Sequence, residues 1–380
     1  MRLSLLRSIE LRFFMSLRAC KAMLASYSGQ LGVIDMKQYR VAQWGTGAKG
    51  KVALRAIIEN SRFELVGVKV YAHEKAGRDA GELCGLAPTG VIASKDIEDI
   101  IRARPDCVVY MPDWRNADEM CRLLEAGINI TTLCLGLNHR DSIEPGERAR
   151  LEAACEKGHS SLYATGSSPG WGTEIMPLAL TIVQQRFDSL TITDFSDLSA
   201  VEFSAKMMFD RMHFGANPDT LDPNEPIGTG VSTPPSLRAT AQALGLTVDD
   251  VRVSREFARA RNKVPLSMGT VEAGTVGAIR MQVQALRRGK AVLRRRTIWY
   301  VTRDIDADWD LRESGFRYQV VGDVPLDVLV KFDVPHDQFP VVGGRVTANP
   351  VVNAIPYVCQ AAPGIRHTAE LPLLLPMLAN

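Results

Sequence analysis

Residues 39–59 read YRVAQWGTGAKGKVALRAIIE, a glycine-rich turn between an extended run and a helical one, and no other stretch narrows the fold so far. Tyr39, Val41 and Gln43 alternate with Arg40, Ala42 and Trp44, which predicts a short strand. Gly45, Gly47 and Gly50 then fall at Gly-x-Gly-x-x-Gly spacing. The first suits a tight turn, the second lets backbone approach a pyrophosphate, and the third lets helix pack closely on strand. Beyond the turn, Val52, Ala53, Ala56 and Ile57 share one helical face, while Lys51, Arg55 and Glu59 turn to water. Free amides at the helix start, near Ala48 to Lys51, and the helix dipole both favour a negative group there. A second strand is expected over 64–72, and this context makes the spacing a dinucleotide signal rather than a plain turn. The cofactor loop is therefore Gly45, Thr46, Gly47, Ala48, Lys49 and Gly50.

Strand and helix patterns go on alternating. Strands are expected over 91–93, 106–111, 129–134 and 161–165, with helices over 97–104, 117–126 and 147–157. That order predicts an α/β fold with a Rossmann-type parallel sheet covered on both faces, the strand at 161–165 closing the series. Ligands of such sheets sit at the carboxyl ends of the strands. Met111, Pro112 and Cys134 are accordingly cofactor contacts, and Ser167, Ser168 and Trp171 line a substrate region. The second strand ends in Tyr71-Ala72-His73-Glu74-Lys75, with Arg78 close behind. His73, Lys75 and Arg78 favour the 2′-phosphate of NADP(H), while Glu74 leaves NAD(H) open.

After about residue 186 the pattern changes. Strand-like runs at 191–195, 275–286 and 292–302 predict a second α+β domain on a mostly antiparallel sheet, the last two joined by an Arg287-Arg288-Gly289-Lys290 hairpin turn. Arg294, Arg295 and Arg296 read as a solvated strand rather than a nucleic-acid patch, because no aromatic platform accompanies them. Residues 214–235 carry five prolines and are expected to form a loop. A helix over 351–359, bearing Asn353, returns to the first domain and leads into a proline-rich tail. The division is thus 36–186 with 349–380 for the dinucleotide-binding domain, and 187–348 for a substrate and dimerisation domain.

Bulk properties exclude several classes. A hydrophobic content of 46%, a charged content of 23% and a net charge of +2 describe an ordinary globular protein with no electrostatic bias toward nucleic acid. Seven scattered cysteines without a Cys-x-x-Cys pair favour a reducing, cytoplasmic setting and argue against a metal site. No apolar run reaches the roughly 18 to 20 residues that span a bilayer. Residues 1–35 hold Arg2, Arg7, Arg12, Arg18 and Lys21 against only Glu10 and Asp35, the make-up of a transit peptide. The alternative is an upstream start codon before Met36, with the extension dispensable to the fold.

QWGTGAKG, ATGSSPGWGTE at 164–174 and NPVVNAIPYVCQAAPGIRHTAELPLLLP at 349–376 together resemble the actinobacterial dihydrodipicolinate reductase-like proteins, relatives of 2,4-diaminopentanoate dehydrogenase and of the NAD(P)H-dependent amine dehydrogenases. The resemblance implies a dinucleotide-binding domain, a sheet domain that completes the pocket, and a homodimer acting on a small molecule. True dihydrodipicolinate reductases carry a His-His segment and a Lys-x-Asp-Ala-Pro-Ser-Gly-Thr loop; here His213 stands alone in MMFDRMHFGAN. Amine dehydrogenases carry a glutamate just past the cysteine that ends the fifth strand, and this chain has Leu135 and Gly136 there. Without it the pocket is less suited to amines, unless another carboxylate stabilises the protonated nitrogen. Glu174, Asp113, Asp194 and Asp197 are the candidates, with His139 as a proton donor to a carbonyl oxygen. Met208, among helically spaced apolar residues, is a candidate substrate contact, although that spacing also describes ordinary core. The expectation is an NAD(P)H-dependent oxidoreductase moving hydride to or from a C=N or C=O bond of a small, apolar substrate. Its alternatives are a catalytically silent NADP(H) sensor and an authentic 4-hydroxy-tetrahydrodipicolinate reductase.

Overall fold

Two sheets organise the chain. The computed structural model describes residues 37–201, 204–224 and 229–376; the N-terminal extension lies outside them up to residue 36. The first sheet is built from β1 (Tyr39–Trp44), β2 (Phe63–Lys69), β3 (Ala93–Ser94), β4 (Cys107–Tyr110), β5 (Asn129–Thr132) and β6 (Ser161–Ala164). Its helices are α1 (Ala48–Ile58), a short α2 (Ala80–Leu83), α3 (Ile97–Ala103), α4 (Ala117–Glu125) and α5 (Pro145–Gly158). Strand β4 is buried along its whole length because helices cover both faces, which is why it reads as an unbroken apolar run. The helix starts are specified locally: the Asn116 side chain accepts from the amides of Asp118 and Glu119, and that of Glu144 from Gly146 and Glu147.

All pairings in this sheet are parallel, in the order β15-β6-β5-β4-β1-β2-β3. The strand order reverses between β1 and β4, the topological switch point where such sheets bind ligands. One expectation needs correction here. The strand at 161–165 does not close the sheet, because β15 (Gly364–Arg366), drawn from the proline-rich tail, pairs along its outer edge.

The second sheet contains β7 (Phe187–Asp197), β8 (Asp250–Arg259), β11 (Val276–Arg287), β12 (Lys290–Tyr300), β13 (Gly315–Gly322) and β14 (Leu326–Lys331), in the order β14-β13-β7-β12-β11-β8. Only β7 and β12 run parallel; the other pairings are antiparallel. A separate two-stranded ribbon joins β9 (Val264–Leu266) to β10 (Gly269–Val271). The basic hairpin forms as expected: Arg287 pairs with Lys290, and Arg288 and Gly289 take positive φ of 51° and 74°.

Two further expectations are corrected. The segment 214–235 is not wholly a loop, since α7 (Thr229–Ala243) begins within it. Pro234 and Pro235 interrupt the ladder of α7, but Ser236, Leu237, Thr240 and Ala241 are buried, so tertiary packing overrides the local preference. Arg295 is not solvated: it is 1% exposed.

After β6 the chain passes through a π-helical turn, Trp171–Ile175, into α6 (Met176–Thr181) and on to the second sheet. It returns by α8 (Phe339–Asn353) and α9 (Ile355–Gln360). Ala348, Val351, Val352 and Ile355 close one face of the first sheet with Tyr39, Val41, Ala53 and Ile57. Met120, Leu123, Leu124 and Leu151 close the other with Trp44, Val108 and Ile130.

Candidate active site

The glycine loop leaves β1 at the switch point. Gly45 donates its amide to the Lys69 carbonyl at 2.8 Å and holds φ at +88°; an added Cβ there would meet the Met111 carbonyl oxygen at 2.6 Å. A Cβ on Gly50 would meet the Gly45 carbonyl oxygen at 2.2 Å. The fold itself therefore demands these two glycines. Gly47 differs: its φ is −67°, and the nearest atom to an added Cβ is Asp113 Oδ1 at 3.9 Å. A side chain would meet no clash there in the free protein, and the bare Cα leaves room for a group that approaches from outside. Helix α1 has no side-chain cap and no acid in its first turn, which leaves its leading amides available to an anion. Buried Gln43 braces the loop by donating to the Gly45 carbonyl at 2.8 Å.

Beside the loop the ends of β2 and β3 supply cations. Lys75 Nζ donates to the Thr46 carbonyl at 3.0 Å. Lys95 Nζ lies 3.0 Å from His73 Nε2, which brings to the patch a lysine that sequence reasoning missed, since β3 is only two residues long. Arg78 instead turns to Glu82 at 3.9 Å. Met111 is buried and donates its amide to the Trp44 carbonyl at 2.8 Å, followed by half-buried Pro112. The Cys134 amide donates to Thr132 Oγ1 at 2.9 Å, and burial pushes its thiol up in pKa.

A cleft of about 210 Å3 opens between Lys49 of the loop, Ser167 and Ser168 after β6, Asp194 on β7, and Phe316, Phe332 and Phe339. The aromatic wall is backed by Trp171, edge-on to Phe316 at 5.8 Å and tilted against Phe332 at 6.4 Å. Asp194 faces Thr297 across the β7–β12 pair, so Arg295, two residues earlier on the same face, reaches it diagonally at 3.6 Å. Arg295 also donates to Ser168 Oγ at 2.5 Å. Burial pushes the Asp194 carboxyl up in pKa, and the Arg295 charge works against that rise.

The other predicted residues fall elsewhere. Glu174 is 2% exposed and does not line this cleft. It accepts from Ser236 Oγ at 3.1 Å and from Thr368 Oγ1 at 2.5 Å, and burial raises its pKa to about 7. A separate small pocket holds it with Leu178, His367 and Thr368. His139 is buried with Nδ1 3.0 Å from Ser142 Oγ, and burial lowers its pKa. Asp113 stands by Gly47, on the loop side. Asp197 accepts from the Ser199 hydroxyl at 2.7 Å. Met208 is fully buried with Leu198, Phe214 and Val271, which is the core reading of its helical spacing. Asn353 closes α8 outside the cleft lining. Leu135 is half exposed, and its carbonyl accepts from Arg115 at 2.6 Å. Among the described residues, no group of three or more His, Cys, Asp or Glu side chains could hold a metal, and no helix is long and apolar enough to cross a membrane.

A doubly wound sheet with an uncapped helix at its switch point, and a second sheet across the cleft, is the architecture of two-domain dinucleotide-binding proteins. Comparison with known proteins narrows this. Residues 174–380 match the 2,4-diaminopentanoate dehydrogenase C-terminal domain, and residues 39–126 match the dihydrodipicolinate reductase N-terminus. An amine dehydrogenase from Streptomyces virginiae is 30% identical over 352 residues, spanning 87% of this chain and 95% of its own. The structure of amine dehydrogenase from Mycobacterium smegmatis shares the fold at 20% identity and a TM-score of 0.71, over 90% of this chain and 98% of that one. A putative myo-inositol dehydrogenase from Sinorhizobium meliloti shares it more loosely, at 18% identity and a TM-score of 0.50, over 83% and 88% of the two chains. The chain belongs to the 2,4-diaminopentanoate dehydrogenase and amine dehydrogenase family.

Proposed function

We propose that this protein is a nicotinamide-dependent oxidoreductase, preferring NADP(H), that acts on a C=N or C=O bond of a small, largely apolar substrate. The observation that carries the cofactor is Gly47, a glycine that the free fold does not need, at the head of an uncapped helix. Amides of residues 45–50 would hold the pyrophosphate, and Lys75 with Lys95 would meet a 2′-phosphate. The bound nicotinamide supplies hydride chemistry, and the chain supplies orientation, exclusion of water and charge.

Asp194 takes the part of the absent strand-end carboxylate. In the ionised form that Arg295 favours, it stabilises a protonated nitrogen, the charge that makes the neighbouring carbon electrophilic. Ser168, fixed by the same guanidinium, is placed to hydrogen-bond the reacting heteroatom. The sheet domain over 187–348 and the homodimer implied by the resemblance belong to the same reading, as does a cytoplasmic location.

The test is consumption of reduced cofactor in the presence of ammonia and a panel of ketones and aldehydes. Faster oxidation of NADPH than of NADH, abolished by Asp194→Asn, is expected. Cofactor binding without turnover across the panel would favour a sensor instead.

A further inference from the structure

Lys49 sits in the glycine loop, yet its side chain leaves the loop. An added Cβ on Gly344 of α8 would stand 3.8 Å from its Nζ, and it lines the cleft with Ser167, Asp194 and Thr347. Of the ionisable side chains that line the cleft, Asp194 is already answered by Arg295 at 3.6 Å. Among the described residues, Lys49 Nζ is given neither a hydrogen bond nor an ion pair by any neighbour. Partial loss of water around it lowers its proton affinity, a shift that an anion beside it would oppose. The cleft thus holds a lysine without a hydrogen-bonded or ion-paired neighbour beside α8, together with the aromatic surface of Phe316, Phe332 and Phe339.

We propose that Lys49 is a charge-selecting residue of the substrate cleft, pairing with a carboxylate on the substrate while Phe316, Phe332 and Phe339 receive its apolar end. The substrate class is then an oxo- or amino-carboxylate with one aryl-sized or branched alkyl group. The size agrees: the cleft volume of about 210 Å3 exceeds the ~150 Å3 that accommodates a single benzene-sized group, leaving space for a short polar head. The inference rests on reading this cleft as the substrate site, and it reassigns Lys49 from the cofactor phosphates to the substrate.

Phenylacetate and its neutral isostere phenylacetamide are the probes, titrated into the full chain with and without saturating NADPH. The wild type is expected to bind phenylacetate about tenfold more tightly than phenylacetamide. Lys49→Met should erase that preference in the cofactor-free titration, while Lys49→Arg restores much of it. No preference in the wild type overturns the proposal. So does a preference that survives Lys49→Met. A wild type that binds no NADPH would contradict the oxidoreductase reading instead, and the cofactor-free titration would still decide for or against Lys49.

Discussion

A guanidinium at 1% exposure is tolerated only when its charge is answered, and Asp194 and Ser168 answer that of Arg295. Arg295→Met leaves half-buried Asp194 without its counter-charge and is expected to cost about 1–3 kcal/mol in urea unfolding, much of it recovered by adding Asp194→Asn. A double variant no more stable than the single one would refute the pairing. Glu174 makes a different prediction. Its folded pKa, about 7, lies above the ordinary glutamate range, so the folded state holds the proton more tightly than the unfolded chain. Stability should therefore fall as pH rises through the interval from ~4.5 to ~7 and level off above it. Glu174→Gln removes that slope and should be the more stable form at pH 8 by up to about 3 kcal/mol, with the two nearly equal at pH 4.5. Equal pH dependence would show that the carboxyl is not held neutral. Neither role was legible in the sequence. Three consecutive arginines on a strand read as surface, and only the β7–β12 register places Arg295 beside Asp194. Glu174 was picked as a cleft acid because it follows a strand end, but the π-helical turn carries it to the far side, toward Thr368.

Elements were more legible than single charges, for a physical reason. Strands covered on both faces appear as apolar runs, and the helices between them keep their periodicity and caps, so β1, β2, β4, β5 and the helices between them lie close to their expected bounds. The failures share a cause: β15 and the start of α7 are specified by distant contacts. β15 has three residues behind a proline and gains its order from β6, some two hundred positions earlier in the chain. Ile365 in it is 2% exposed and packs in the same core as Leu162 and Ala164. Ile365→Ala is expected to cost about 2–5 kcal/mol, read as a lower urea midpoint. A change under about 0.5 kcal/mol would mean the tail does not complete the sheet.

At the scale of the whole molecule, the chain leaves the first sheet after β6, builds the second, and returns through α8 onto α1. That route gives the cleft its two kinds of lining: loop, serines and the returning helix with Phe339, and Asp194 with Phe316 and Phe332. The parallel sheet and its switch point were readable from Gly45, Gly47 and Gly50, whereas the pairing of walls was not, because it depends on where β7 and α8 meet. The glycine loop serves the fold at Gly45 and Gly50, and Gly47 separates its role as a cofactor cradle from that structural one. Calorimetric titration of NADPH into the wild type and into Gly47→Ala is the direct test. The variant should unfold at the same urea midpoint as the wild type, since φ is −67° and nothing stands within 3.4 Å of the added methyl, while binding NADPH at least about tenfold more weakly. Equal NADPH affinity in both proteins, or no NADPH binding by the wild type, would contradict it.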